Sequence, residues 1–242
     1  MISSFIITFR EALEVALVVG IILGYLSKTK QTRYNKIVYL AISAGIILSV
    51  LTAILFNLLL GGFSGTAEQI FEGITMLAAA LLLTTMILWM MRKKNVAEEL
   101  KHKVEAEVEE SHKFGLFFLV LLSVLREGVE TVIFLGAANL SSADQNIIGA
   151  LGGIIAAIIL GYALFVSSLK INLKTFFNIT SILLILLAAG FVAQGIHEFE
   201  EAGIVPPIVE HVWDINPAQN QDGSYPALHD KGSVGRTLKS LF

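Results

Sequence analysis

The chain has 242 residues, of which 55% are hydrophobic and only 15% charged, with a mean hydropathy of +0.75 and a formal net charge of -3. A soluble domain carries closer to a quarter charged residues, so this composition excludes an ordinary soluble fold and points to an all-α polytopic membrane protein. Cysteine is absent, which excludes disulfides, thiolate metal sites and a cysteine nucleophile, and the charge balance gives no sign of nucleic-acid binding.

Six apolar segments of spanning length follow one another, near residues 2–26, 37–60, 70–91, 115–138, 146–169 and 176–196. Each holds about 20 residues or more, enough for a helix to cross a hydrocarbon core of roughly 30 Å. The first is not a signal peptide: it lacks a basic start, and Arg10, Glu11 and Glu14 sit where an unbroken apolar centre belongs. The connections set the orientation. The first, third and fifth hold Lys28, Lys30, Arg33, Lys36, Arg92, Lys93, Lys94, Lys101, Lys103, Lys113, Lys170 and Lys174, whereas the second and fourth hold no Lys or Arg. By the positive-inside rule the odd connections are cytoplasmic and the N-terminus is outside.

The third connection, 92–113, is long and charged. Val96, Leu100, Val104 and Val108 recur every four residues, which predicts an amphipathic helix. Its main reading is a solvated helix joining two halves; His102 and His112 among six glutamates leave metal sensing as the alternative. After the sixth span an acidic, proline-containing tail, 197–242, is expected outside the membrane, with Val209, Val212 and Trp213 suited to the interface.

Charge inside two of the spans is the unusual feature. Arg10-Glu11-Ala12-Leu13-Glu14 returns as Arg126-Glu127-Gly128-Val129-Glu130, 116 residues later, and Gly20 and Gly136 each follow the motif arginine by ten. Three unpaired charges at the bilayer centre cost about 8–10 kcal/mol per helix on insertion scales. Each motif lies in the first of three consecutive spans. Three is odd, so the second trio runs opposite to the first, and the chain reads as an inverted repeat of two three-helix units, 1–91 and 114–196. Transporters built this way hold their substrate at the repeat interface near the midplane.

Helical geometry places Glu11 and Glu14 on one stripe with Arg10 within reach of Glu14, and Glu127, Glu130 and Arg126 likewise. Across a pseudo-two-fold axis, Glu11, Glu14, Glu127 and Glu130 would form an all-oxygen cluster suited to hard, highly charged cations. The two motifs sum to -2, which a trivalent cation compensates and a divalent one neutralises. Arginine offers donors only, so Arg10 and Arg126 are expected to orient the carboxylates. Sharing one ion requires the motifs to lie within about 15 Å, given axes 8–10 Å apart in packed helices. Glu68 and Glu72 share a face at the outer end of the third span, where a vestibule ligand competes with a favourable helix N-terminal charge. His197, Glu198, Glu200 and Glu201 offer cation capture at the outer mouth. Met86, Trp89, Met90 and Met91 read as packing and interface residues.

The paired R-E-x-x-E motif resembles the hallmark of the oxidase-dependent iron permeases, the fungal high-affinity ferric permeases and bacterial EfeU-type iron transporters. The likeness extends to Phe71-Glu72-Gly73, to Leu83-Thr84-Thr85-Met86 with Trp89-Met90, to Gly195-Ile196-His197-Glu198 with Glu201-Ala202-Gly203, and to Gly232-Ser233-Val234-Gly235-Arg236. The resemblance implies iron import across the plasma membrane, with Fe(III) the expected cargo. It implies motif glutamates that bind and pass the ion, and an extracytoplasmic oxidase, peroxidase or iron-delivery partner. Iron would be the transported substrate, with no permanently bound cofactor, and a homo-oligomer is compatible with this reading. Family members usually have a seventh span after the Gly-Arg segment; the sequence stops at Phe242, before it, and the six-span repeat is complete without it. Other readings are a carrier of Fe(II), Mn(II) or Pb(II), a membrane-embedded carboxylate metalloenzyme, and a sensor or scaffold with a structural ion. The metalloenzyme lacks the Glu-x-x-His typical of di-iron bundles, since neither motif segment contains histidine.

Overall fold

A computed structural model of the protein describes residues 2–92, 96–109, 113–141, 147–166 and 173–206, and then positions 217, 220, 225–227, 229, 232 and 235. Among these residues the chain is helical, with no strand. The elements are α1 (Ile2–Lys28), a 3-10 turn (Thr32–Tyr34), α2 (Asn35–Leu60), α3 (Thr66–Arg92), α4 (Val96–Glu109), α5 (Lys113–Ser141), α6 (Ile147–Val166) and α7 (Leu173–Glu201). His112, Val209, Val212 and Trp213 lie outside the described residues, as does most of the acidic tail.

Each apolar segment falls in one long helix. Four stretches, Thr32–Leu59, Thr66–Trp89, Ile147–Leu164 and Thr180–Glu201, are long and apolar enough to cross a membrane. Helices α1 and α5 match them in length but carry the motif charges at mid-length. Helices α2 and α6 expose wide apolar faces, among them Leu51, Leu55, Leu151 and Ile158, as expected of helices that meet lipid. Hydroxyls within the helices are satisfied locally. Ser49, Thr84, Ser123 and Thr131 each donate to the carbonyl four residues back, at 2.7–2.8 Å, which removes an unpaired donor from an apolar medium.

The packing partners are α1 with α6, α2 with α5, and α3 with α7, and α1 and α5 cross at the centre. Small residues set these contacts, because backbones in lipid associate by close approach rather than by the hydrophobic effect. On α6, a Cβ at Gly153 would overlap the Thr8 hydroxyl, and one at Gly161 would sit 2.9 Å from Ala16 Cβ. On the other side, a Cβ at Gly45 of α2 would lie 2.8 Å from Val124 Cγ1, and one at Gly128 would overlap Ser49. Thr8 and Val124 occupy corresponding places in the two motif helices, 116 residues apart, so their partners Gly45 and Gly153 do the same work. Thr8 Oγ1 also lies 2.9 Å from the Ala150 carbonyl oxygen, tying α1 to α6. Between α3 and α7, Gly73 and Gly195 face one another's carbonyls.

Helix α4 confirms the four-residue apolar period but is only half solvated. Val104 and Val108 are buried with Ile22 and Leu26 of α1, Tyr34, and Leu116 and Val120 of α5. His102 and the Lys103–Glu99 pair stay on its exposed face.

Filling the Gly153 contact tests this packing. Gly153→Val forces α1 from α6 and is expected to cost about 1–3 kcal/mol, the usual range for overpacking. Gly24→Ala has open space and should leave stability unchanged or raised. Thermal unfolding of the two variants in detergent reads the difference.

Candidate metal centre

The crossing of α1 and α5 brings the two motifs together. Glu11 and Glu127, which hold the same place in their motifs, each offer a carboxylate oxygen within 4.8 Å of the other's. With Glu14 they form a trio in which one carboxylate oxygen from each residue lies within 4.8 Å of the others. Among the described residues this is the one group of potential metal ligands so closely set. The approach is far inside the 15 Å limit for a shared ion. Glu130 stands apart from the trio and pairs with Arg126 at 2.9 Å. Oxygens of Glu11, Glu127 and Glu130 are buried without a hydrogen-bond partner among the described residues, an arrangement that costs stability unless a cation or proton is supplied.

The two arginines differ. Arg10 is fully buried; its guanidinium reaches Glu11 at 2.7 Å and Glu14 at 2.9 Å, and also the Met86 sulfur of α3 at 2.8 Å. Arg126 is 48% exposed; it holds Glu130, stands 3.7 Å from Glu127, and stacks over the Trp89 ring of α3 at 5.6 Å. So α3 seats both arginines. Met86 and Trp89 read from the sequence as packing residues, and their positions show a second task. Their three-residue spacing places them on one face of α3; the missing signal was that this face looks at the motif helices.

The second acidic set gathers where α3 begins and α7 ends. Glu68, Glu72, Glu198 and Glu201 are close enough to sense one another's charge. Gln69 Nε2 donates to Glu201 at 3.1 Å, His197 pairs with Glu201 at 3.2 Å, and Glu200 lies 4.0 Å from His197. Among the described residues these oxygens do not close on one point as the trio does. An apolar cluster separates the sets. Ile7 precedes Arg10 by one turn, Phe134 follows Glu130 by one, Met76 follows Glu72, and Phe191 precedes Glu198 by two, and all four are buried together.

Residues 1–213 match the model of the iron permease FTR1 family. The chain belongs to that family. It is 33% identical over 222 residues to a ferrous iron permease EfeU of Escherichia coli O6:H1, covering 89% of this chain and 80% of the relative. A ferrous iron permease EfeU of Yersinia pestis is 33% identical over 211 residues, 84% of this chain and 74% of the relative. An uncharacterized protein of Archaeoglobus fulgidus is 32% identical over 246 residues, 100% of this chain and 85% of the relative. No solved structure matches. This FTR1-family member is a membrane permease rather than an enzyme.

The unequal burial of the arginines gives a stability test. Arg10→Met leaves Glu11 and Glu14 as uncompensated buried charges and is expected to cost about 3–5 kcal/mol, as breaking a buried pair does. Arg126→Met, at a half-exposed site, should cost clearly less. Adding Glu11→Gln to Arg10→Met should recover part of the loss. Unfolding midpoints of the three variants provide the comparison.

Proposed function

We propose that this FTR1-family chain imports iron across the plasma membrane as a multi-pass permease, N-terminus outside, through the carboxylate centre of the two R-E-x-x-E motifs. The observation that carries the reading is the meeting of Glu11, Glu14 and Glu127 within 4.8 Å in an otherwise apolar bundle. Three carboxylates with Arg10 paired to two of them leave a local charge of -2, and oxygen donors of this kind suit iron more than a soft ion. Glu11, Glu14 and Glu127 are assigned as ligands. Glu130 is assigned as the ligand that Arg126 presents or withholds, and Arg10 and Arg126 as the groups that orient the carboxylates. Iron is cargo on this reading, passing through rather than resident.

Two units of three helices related by a pseudo-two-fold axis are supported by the packing. Pairing of α1 with α6 and of α2 with α5 is what such an axis generates, as are the corresponding Thr8–Gly153 and Val124–Gly45 contacts. Six spans follow if α1 and α5 cross with their charges turned inward, where intramembrane ionisable residues are tolerated. Glu68, Glu72, Glu198, Glu200, Glu201 and His197 are assigned to capture at the outer mouth, where a cluster of negative charge raises the local cation concentration. An extracytoplasmic oxidase or peroxidase would hand iron to this mouth.

Fe(III) is the cargo favoured by charge and by the resemblance to ferric permeases. Fe(II) is the second reading, favoured by the names of the bacterial relatives, both ferrous iron permeases. Uptake of radiolabelled iron into proteoliposomes decides between them when run with and without a reductant. Glu14→Gln and Glu130→Gln should each lower uptake by at least about tenfold, since each step of that size needs only about 1.4 kcal/mol of lost binding or barrier stabilisation. Wild-type uptake in both variants would remove the motif glutamates from the pathway.

A further inference from the structure

The two motif helices present the same positions to the centre in different states of closure. On α1, Ile7 lies one turn before Glu11, fully buried in the apolar cluster with Met76, Phe134 and Phe191. On α5 the corresponding residue, 116 positions later, is Ser123, only partly buried, its hydroxyl bonded back to Leu119. One turn further along, Arg10 has no exposure and Arg126 is 48% exposed. Trp89 beneath Arg126 is itself 42% exposed. The first carboxylates of the two motifs differ in the same sense, Glu11 at 1% and Glu127 at 9%, whereas Glu14 and Glu130 are equal at 14%.

An arginine thirteen residues into α5 lies about 20 Å along the helix from Lys113. A side chain there does not face hydrocarbon: intramembrane charges turn to the bundle interior or to water. Its exposed side therefore marks water reaching inward from the end of the bundle where α3 stops and α5 starts. The opposite route, from Glu72 and Glu198, is shut by four buried apolar side chains.

We propose that Arg126 stacked on Trp89 is an open gate: it uncovers an aqueous crevice to the Glu11–Glu14–Glu127 trio on the side of the basic connections. Arg10, seated on Met86 behind Ile7, is the matching gate in its closed position. Swung onto the ring, the Arg126 guanidinium holds Glu130 aside and leaves Ser123 to line the entrance. Trp89 and Met86 are positioning residues on this account; neither supplies a donor for iron. The proposal rests on the transport reading for its purpose, since an inverted repeat reaches its opposite-facing state by exchanging the conformations of its two units. The crevice itself is a structural claim with its own readout.

The natural absence of cysteine makes single-cysteine reporters direct. Ser123→Cys, Ile7→Cys and Leu151→Cys are introduced one at a time into the full chain in sealed vesicles of known orientation, and each is treated with a membrane-impermeant maleimide. Ser123→Cys is expected to react from the side bearing the basic connections. Ile7→Cys, behind the apolar seal, and Leu151→Cys, on the exposed face of α6, should react from neither side. Failure of Ser123→Cys to label, or equal labelling of Ile7→Cys, would overturn the proposal. Trp89→Leu in the Ser123→Cys background tests the gate. Loss of a cation–π seat worth this kind of contact should slow labelling by about two- to fivefold, and an unchanged rate would leave Trp89 without the role. Iron uptake is measured on the same vesicles: normal labelling without any uptake would sink the transport reading and leave the crevice standing.

Discussion

A guanidinium with no solvent contact, bonded to two carboxylates on its own helix, is the constraint around which the bundle is arranged. Arg10 cannot lose its proton, so its charge must be met inside the protein. Glu11 and Glu14 meet it, at the distances of strong charge-assisted contacts, and Met86 closes the remaining side. That leaves one carboxylate more than the arginine needs. The surplus turns toward Glu127 across the α1–α5 crossing, and the buried oxygens without partners accumulate there. Stability alone does not call for this: apolar side chains of equal volume often serve a core as well as a buried ion pair. The close glycine contacts pack α6 against α1 and α2 against α5, one flanking helix on each motif helix.

Much of this was legible in the sequence, for physical reasons that differ by element. The helices were visible because a chain in lipid must satisfy its backbone within each segment, so hydropathy and length nearly fix the spans. The meeting of the motifs was visible because the charges at 10–14 and 126–130 are too costly to face hydrocarbon and repeat with one spacing. Helix α4 was visible from its four-residue period, but its docking was not, since Val104 and Val108 say only that one face is apolar and not what covers it. The roles of Met86 and Trp89 were hidden for a similar reason: thioether and indole are ordinary packing groups, and only the tertiary placement of α3 brings them to the arginines. The difference between Arg10 and Arg126 was hidden altogether. The shared R-E-x-x-E spacing carries no information about which arginine is buried.

The two acidic sets illustrate how the same residue type takes different work from its surroundings. At the junction of α3 and α7 the carboxylates are partly hydrated, interleaved with Gln69, Gln194 and His197, and spread along two helix ends. Such a surface attracts cations without fixing them. At the α1–α5 crossing the carboxylates are dehydrated and converge, at a cost in stability. Family membership supplies iron as the cargo class.

Helix α4 has a mechanical meaning beyond linking two halves of the chain. Its valines lie at once against α1 and α5, so it works as a strap across the two motif helices. Any change in the angle between these helices must either carry α4 along or peel Val104 and Val108 away, at about 1.5–3 kcal/mol for each fully buried side chain of this kind. The strap thus sets an upper limit on how far the joint opens for a given energy. Its outer face, with His102 and the Lys103–Glu99 pair, is the part of that joint open to water.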